Sequence, residues 1–192
     1  MEFYRNIRTN IAFSKKYENV KSIVFTSSIE KEGKSTVLSN LAKLFAQIDK
    51  KVLVIDANSK NPSATNMLSE NEINEGLVDA LKNNEYFKYI KETSTENLFL
   101  LSSGENITSD YLSSEKMKNM MDKLKEKFDY IFIDSLSLTD SSDALVLSTY
   151  CEGVILICGC GEVEIEKVED SKEKLQNVGA NILGVIMNKF EE

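Results

Sequence analysis

Six short apolar runs, separated by longer amphipathic stretches, constrain the fold of this chain more than any other feature of its sequence. The runs are nearly continuous in Val, Ile, Leu and Phe, as are strands that are covered on both faces. Because helical patterns lie between them, the alternation predicts an α/β fold with a mostly parallel sheet and helices on both faces. The predicted strands are residues 22–26, 51–56, 97–101, 129–134, 153–158 and 182–187.

Three of the intervening stretches predict helices. Apolar residues recur at helical spacing through residues 38–48 and 117–128, with polar residues on the opposite face. Two serines and Glu115 mark the beginning of the second helix. Residues 163–176 predict a charged, solvated helix. The chain has no linker, repeat or low-complexity tract, so residues 1–192 are predicted to form a single domain.

The composition excludes several classes of function. The net charge of −8 argues against binding of nucleic acid through its phosphates, which requires clustered Lys and Arg. The same charge argues against a polybasic membrane anchor. The chain has no histidine, which excludes Ser-His-Asp or Cys-His catalysis, a histidine zinc ligand and a histidine general base.

The sequence predicts a cytoplasmic protein that does not insert directly into a membrane. No apolar run approaches the roughly 20 residues of a membrane span. Met1 is followed at once by a charged and polar segment rather than by a signal peptide. The three cysteines, Cys151, Cys158 and Cys160, are predicted to be buried thiols in a reducing compartment.

The stretch "SSIEKEGKST", residues 27–36, has the spacing of a phosphate-binding loop. It follows a predicted strand and begins a predicted helix, where free N–H groups and the helix dipole attract anions. Gly33 allows close backbone approach to phosphates, Lys34 is predicted to reach the β- and γ-phosphates, and the Ser35 hydroxyl to bind Mg²⁺. Thr36 follows inside the helix. The generic pattern G-x-x-x-x-G-K-[ST] has one more glycine, five residues earlier, which this chain lacks.

Two aspartates are predicted to support this loop. Asp56 and Asp134 each end an apolar run, so both fall at the carboxyl edge of the predicted sheet, where open α/β folds bind ligands. A carboxylate at that edge can hold Mg²⁺ directly or through water. Each residue alone is also consistent with a helix cap or a solvated acid at a strand end.

The motifs resemble those of the bacterial tyrosine kinases of capsule and exopolysaccharide synthesis, over nearly the whole chain. The family loop usually reads S-x-x-P-G-E-G-K-S-T, and "SSIEKEGKST" keeps its frame. The family motif D-A-D-x-R corresponds to "DANSK" at 56–60, and I-D-T-P-P corresponds to "IDSLS" at 133–137. The resemblance implies a P-loop ATPase fold, ATP and Mg²⁺ as cofactors, and transfer of phosphate to tyrosine.

The resemblance also implies roles for individual residues. Lys34 and Ser35 would bind the phosphates and Mg²⁺, Asp134 would be the acid associated with Mg²⁺, and Asp56 would contact the metal and act as base or orienter for the incoming hydroxyl. Asn188, in "GVIMNK", lies where related ATPases place an asparagine that contacts adenine. The predicted nucleotide-binding set is completed by three residues of the loop, Glu32, Gly33 and Thr36.

The N-terminal stretch "EFYRNIRTNI" matches the family segment E-x-x-R-x-x-R, which packs one subunit on the next in a ring. The resemblance therefore implies that residues 1–18 form an N-terminal helix and that Glu2, Arg5 and Arg8 join subunits. The same residues are also consistent with a simple surface ion pair on a helix. The family further implies a membrane-anchored activator of polysaccharide export, which would recruit the chain to the inner face of the membrane.

Several departures from the family pattern keep alternatives open. Glu30 and Lys31 replace Pro and Gly of the loop, and Asn58 replaces the second acid of D-A-D. Lys60 replaces the arginine of D-A-D-x-R, and Leu136 and Ser137 replace the two prolines of I-D-T-P-P. The family's C-terminal tyrosine cluster has no counterpart in the given sequence, where no tyrosine follows Tyr150. A catalytically weak pseudokinase is therefore the alternative. A positioning ATPase of the division-site or partition type is less favoured, because Ile29 replaces its usual lysine.

Overall fold

A computed structural model describes residues 2–58 and 60–189, and its centre is a seven-stranded sheet with the order β3-β4-β2-β5-β1-β6-β7. All neighbouring strands pair in parallel except β3 and β4, which are antiparallel. The strands are β1 (Ser22–Ser27), β2 (Val52–Asp56), β3 (Lys91–Glu92), β4 (Leu98–Leu101), β5 (Tyr130–Asp134), β6 (Gly153–Gly159) and β7 (Ile182–Asn188).

Helices cover both faces of this sheet. Within the described residues they are α1 (Glu2–Phe13), α2 (Lys34–Ala46), α3 (Ser63–Leu68), α4 (Leu77–Asn83), α5 (Ser109–Leu112), α6 (Glu115–Lys125), α7 (Asp143–Ser148) and α8 (Ile165–Asn177), with a short 3-10 turn at Lys15–Tyr17. The predicted cap of α6 is confirmed, because the Ser114 side chain accepts a hydrogen bond from the Met117 N–H.

Alternate residues of the central strands point into two separate apolar clusters, one on each face. Ile23 and Phe25 of β1 join the cluster that contains α1, α2 and α3, whereas Val24 of β1 joins the cluster that contains α4, α6, α7 and α8. Because both faces of β1 and β2 are fully buried, and those of β5 are buried except at the partly exposed Tyr130, their sequences are nearly continuous in apolar residues rather than alternating. The predicted α/β fold with a mostly parallel sheet is confirmed.

The sheet order brings three loops together at one edge. Strand β5 lies between β2 and β1, and Asp134 pairs in register with Asp56 on one side and with Phe25 on the other. Since parallel strands end at the same edge of a sheet, the loops after β1, β2 and β5 converge there. This edge contains the phosphate loop and both acids that the sequence places at strand ends.

Three details differ from the sequence prediction or refine it. The antiparallel edge strand β3 was not predicted, because two exposed residues, Lys91 and Glu92, carry no apolar pattern. Of the three cysteines, all free, only Cys158 is buried, while the other two are partly exposed. Among the described residues, no helix combines the length and apolar character that a membrane crossing requires.

Candidate functional site

The phosphate loop joins β1 to α2, and its conformation depends on Gly33. This residue caps α2 with φ of 88°, a left-handed conformation that favours glycine. A Cβ atom at this position would lie 2.1 Å from the side-chain nitrogen of Asn188, so a larger residue would also collide with the end of β7. Gly33 therefore allows both the sharp turn and the close approach of β7 to the loop.

Lys34 is buried beneath the loop rather than extended into solvent. Its Nζ donates a hydrogen bond of 2.9 Å to Oγ of Ser27, at the end of β1. Burial lowers the pKa of the Lys34 ammonium, although the nearby charge of Asp134 opposes this effect. A buried cation of this kind is available to an anionic ligand at the helix N-terminus.

Ser35 and Asp134 are in direct contact at the beginning of α2. The Ser35 hydroxyl donates a hydrogen bond of 2.5 Å to Oδ2 of Asp134. The other oxygen of this carboxylate, Oδ1, is buried and has no hydrogen-bond partner. Burial, together with the negative charge of Asp56, raises the pKa of Asp134 to about 7. A buried oxygen without a partner fits a site for a metal ion or its bound water.

Asp56 lies opposite Asp134 on the neighbouring strand, but both of its carboxylate oxygens already accept hydrogen bonds from the protein. Oδ1 accepts a hydrogen bond from the Asn58 N–H at 3.1 Å, and Oδ2 accepts from both the N–H and the hydroxyl of Thr65, at 2.9 and 2.8 Å. Burial raises the pKa of Asp56 to about 6, and these hydrogen bonds limit the rise. The carboxylate therefore fixes the turn after β2 onto helix α3.

Glu32 and Asn188 hold the phosphate loop against the ends of β6 and β7. The fully buried Glu32 carboxylate accepts hydrogen bonds from the Ile29 N–H at 2.9 Å and the Gly159 N–H at 2.8 Å. The Asn188 side-chain amide donates to the Glu32 carbonyl oxygen at 2.9 Å. The Glu32 side chain thus points beneath the loop and towards β6, and not towards the position that the loop offers to phosphates.

A cavity of about 210 Å³ lies in front of the loop. Residues 33–36 form one side of it, and Asn58 and Lys60, from the loop after β2, form another. Ser137 and Asp140, from the loop after β5, line a third side. Four residues that the sequence predicts for nucleotide binding, Gly33, Lys34, Ser35 and Thr36, therefore line one cavity. The sequence does not predict Asp140, because this residue lies in no recognisable motif.

Charged side chains connect the three loops at the mouth of this cavity. The Lys60 ammonium lies 3.9 Å from Oε1 of Glu30 and 3.5 Å from Oδ1 of Asp140. Lys31, beside Glu30, has φ of 64°, so the position at which the family loop usually has glycine takes the left-handed conformation in this chain. The loop thus keeps its shape at the expense of local strain in a lysine backbone.

These arrangements are those that a nucleotide with Mg²⁺ requires. The loop amides and the Lys34 ammonium offer donors for phosphate oxygens, and the Ser35 hydroxyl lies beside the unpartnered oxygen of Asp134. Mg²⁺ in nucleotide sites usually takes one or two protein ligands and completes its shell with phosphates and water. The residues present therefore fit both ATP phosphates and the ion.

Comparison with known proteins points in the same direction. A family model described as "AAA domain" matches residues 20–181. Tyrosine-protein kinase CpsD of Streptococcus agalactiae is 35% identical, and the match covers 100% of this chain and 84% of CpsD.

Solved structures agree with that relationship. The chimerical protein CapA2B2 superposes with a TM-score of 0.93 at 31% identity, over 100% of this chain and 85% of that one. The kinase domain of the Escherichia coli tyrosine kinase ETK superposes with a TM-score of 0.89 at 26% identity, over 97% of this chain and 74% of that one. The similarity to these proteins extends over nearly the whole chain and agrees with its phosphate loop and its two acids at strand ends. This chain therefore belongs to the bacterial tyrosine-kinase family.

Proposed function

We propose that the protein binds ATP with Mg²⁺ and transfers the γ-phosphate to tyrosine, in the control of capsule or exopolysaccharide synthesis and export. The observation that carries this proposal is the contact of Ser35 with Asp134 beside the buried Lys34, because it leaves one carboxylate oxygen free next to the phosphate loop. Phosphoryl transfer depends on positioning and charge neutralisation, so the chain's lack of histidine does not oppose it.

In this proposal the residues of the loop hold the substrate and do not react with it. Amides of residues 33–36 and the Lys34 ammonium bind β- and γ-phosphate oxygens, which requires Lys34 to exchange its hydrogen bond with Ser27 for phosphate. Ser35 and Asp134 would hold Mg²⁺, and the bound ion would supply positive charge to the phosphates. Glu32 and Asn188 contribute by fixing the loop, and Asn188 in addition offers its side chain to the base of the nucleotide.

The second candidate is a pseudokinase that binds ATP without transfer to tyrosine. Three observations favour it: Asn58 replaces an acid, the oxygens of Asp56 are occupied by Asn58 and Thr65, and Lys31 is strained. Each of these leaves ATP binding possible, since none of them affects Lys34 or Ser35. The division-site or partition ATPase is the weakest alternative, because the superposition with the ETK kinase domain extends over 97% of the chain and that with the septum site-determining protein MinD over 88%.

We further propose that the protein forms oligomers through helix α1 and is recruited to the inner face of the membrane by a membrane-anchored activator. Glu2 and Arg5 form an exposed ion pair at 3.5 Å, and Nε of Arg8 is buried without a partner. The Arg5 guanidinium is 57% exposed, so its remaining N–H groups are available to an acceptor on a neighbouring subunit.

Incubation with radiolabelled ATP and Mg²⁺ tests the proposed function. The reaction contains the cytoplasmic segment of an activator from a relative and a tyrosine-rich peptide, and phosphotyrosine is measured. We expect phosphotyrosine from the wild type and none from Lys34→Met. ATP binding by calorimetry without any phosphotyrosine supports the pseudokinase, and absence of ATP binding at millimolar nucleotide contradicts both candidates.

A further inference from the structure

Asp140 and Glu30 are acidic residues that line the cavity, and neither has a role so far. Asp140 lies in the loop after β5 and lines the same cavity as Gly33, Lys34 and Ser35. Its side chain is 19% exposed, whereas the strand-end acid Asp134 is fully buried. A molecule that enters the cavity in front of the phosphate loop therefore meets Asp140 before it meets Asp134.

The main chain beside Asp140 is fixed to the phosphate loop. The Leu138 N–H donates to the Ser27 carbonyl at 2.8 Å, and the Thr139 N–H donates to the Ser28 carbonyl at 3.2 Å. These bonds join the residues before Asp140 to the beginning of the loop that binds phosphate. The distance between Asp140 and a bound phosphate is thus determined by hydrogen-bonded backbone and not by a free loop.

The Asp140 side chain is also oriented. The Ser137 hydroxyl donates a hydrogen bond to Oδ2, and the Lys60 ammonium lies 3.5 Å from Oδ1. An ionised carboxylate has about four acceptor positions, so these two partners leave positions for a further donor. The carboxylate is therefore held in place and still able to accept a hydrogen bond.

The other acids of the site are less suited to meet an incoming hydroxyl. Asp56 does not line the cavity, and both its oxygens accept hydrogen bonds from the protein. Asp134 is buried behind Ser35. Glu30 lines the cavity, but its side chain is 54% exposed and pairs with the Lys60 ammonium only at 3.9 Å.

We infer that Asp140 is a catalytic residue, which orients the tyrosine hydroxyl of the acceptor and takes its proton; this role rests on the proposed kinase function. The phenolic oxygen forms a bond to the γ-phosphorus, and the bond between that phosphorus and the β,γ-bridging oxygen breaks. The hydroxyl proton passes to Asp140, and the electron pair of the broken bond leaves with ADP. Asp140 thus performs the task that family resemblance assigns to Asp56.

The variant Asp140→Asn tests this role, because an amide keeps the acceptor for Ser137 and loses the base. We expect kcat for peptide phosphorylation to fall about a hundredfold, within the range typical of a lost general base. ATP affinity, measured by calorimetry, should be equal or tighter, since a negative charge near the phosphates is removed. Asp140→Glu should recover part of the rate.

Two further variants separate this role from the alternatives. Lys60→Gln breaks the ion pair and keeps the carboxylate, so we expect a smaller loss of kcat than in Asp140→Asn. Asp122→Asn, an exposed acid on α6, controls for a change in net charge and should have the wild-type rate. Phosphorylation by Asp140→Asn within threefold of the wild type would overturn the role of Asp140 alone. A wild type that binds ATP but makes no phosphotyrosine would overturn the kinase function and this role with it.

Discussion

The hydroxyl of Ser35 donates a 2.5 Å hydrogen bond to Oδ2 of Asp134, which leaves Oδ1 of the same buried carboxylate without a protein partner. This bond joins the beginning of helix α2 to the end of strand β5, directly behind the phosphate loop. Leaving a buried acceptor unsatisfied costs about 1–3 kcal/mol, so this oxygen is explained best by a ligand that it holds in the working protein.

We expect Asp134→Asn to weaken the Mg²⁺-dependent affinity for ATP by about tenfold or more, because a charged contact worth about 1.5 kcal/mol or more is removed. Calorimetric titrations of both proteins, with Mg²⁺ and with excess chelator, measure the effect. With chelator the variant should bind ATP no more weakly than the wild type, since it lacks a negative charge near the phosphates. Superimposable curves in Mg²⁺ would refute the role of Asp134.

Because Asp56 and Asp134 are buried, we expect their contribution to stability to decrease as the pH rises. The pKa values of Asp56 and Asp134 are raised to about 6 and about 7 by burial, from about 4 in an unfolded chain. Between these values the folded protein binds more protons than the unfolded chain, so the contribution of this pair to the free energy of unfolding falls as pH rises. Below pH 4 the contribution is complete, and above about pH 7 it is lost.

Urea denaturation of the metal-free protein between pH 5 and pH 7.5 measures this contribution. The measured quantity is the free energy of unfolding of Asp134→Asn minus that of the wild type. This difference should increase from pH 5 to pH 7.5, because the variant lacks one of the two acids whose ionisation destabilises the wild type. The subtraction removes the pH dependence of groups that both proteins share. A difference that is constant with pH would show that burial does not raise the pKa of Asp134.

The strained backbone of Lys31 provides a prediction of increased stability. Its φ of 64° costs a non-glycine residue roughly 1–2 kcal/mol, whereas glycine adopts it freely. Lys31→Gly should therefore increase the free energy of unfolding by about 0.5–1 kcal/mol, after the entropy that glycine gains in the unfolded chain is subtracted.

Two variants control for the other effects of that substitution. Lys31→Ala removes the same charge and keeps the strain, so it should be less stable than Lys31→Gly. Lys127→Gly introduces glycine at an exposed lysine that does not have positive φ, and should lower the stability. Chemical denaturation of the four proteins decides the matter, and a less stable Lys31→Gly would mean that the loop has another conformation in solution.

Much of this fold follows from the sequence, because its signals are local. Strands buried on both faces are continuous in apolar residues, and the sequence predicts the bounds of the six longer strands to within one residue. The antiparallel pairing of Lys91 and Glu92 has no such signal, since an exposed edge strand of two residues is determined by its neighbour β4 and not by its own side chains.

In the candidate site, too, some residues can be predicted from local sequence and others depend on tertiary structure. Gly33, Lys34 and Ser35 follow one another along the chain, so their spacing alone predicts the phosphate loop. The contact of Glu32 with the Gly159 N–H joins residues 127 positions apart, and no pattern in the sequence reports it. Asp140 is brought to the cavity by hydrogen bonds of its loop to β1 and the phosphate loop, which likewise depend on tertiary structure.

Glu32 should be essential to the shape of the phosphate loop, although its side chain is directed away from the cavity. In Glu32→Ala the partly buried N–H of Ile29 and the buried N–H of Gly159 lose their acceptor, which should lower the free energy of unfolding by roughly 2–4 kcal/mol. ATP affinity should fall with it. Glu162→Ala removes an exposed acid paired with Lys189 near the same strand ends, and should cost less than about 1 kcal/mol. Equal losses in the two variants would contradict the bracing role of Glu32.

The N-terminal helix provides a prediction about assembly. The exposed ion pair of Glu2 with Arg5 adds little to the stability of a monomer, and Nε of Arg8 has no partner within the described chain. We therefore expect an Arg5→Ala, Arg8→Ala variant to keep its melting temperature as a folded subunit and to lose its oligomers. Light scattering at matched concentration measures the mass, and Lys15→Ala, Lys16→Ala removes the same charge from the neighbouring turn as a control. If the arginine variant has the mass of the wild type, these residues do not join subunits, and the ion pair is a feature of the surface alone.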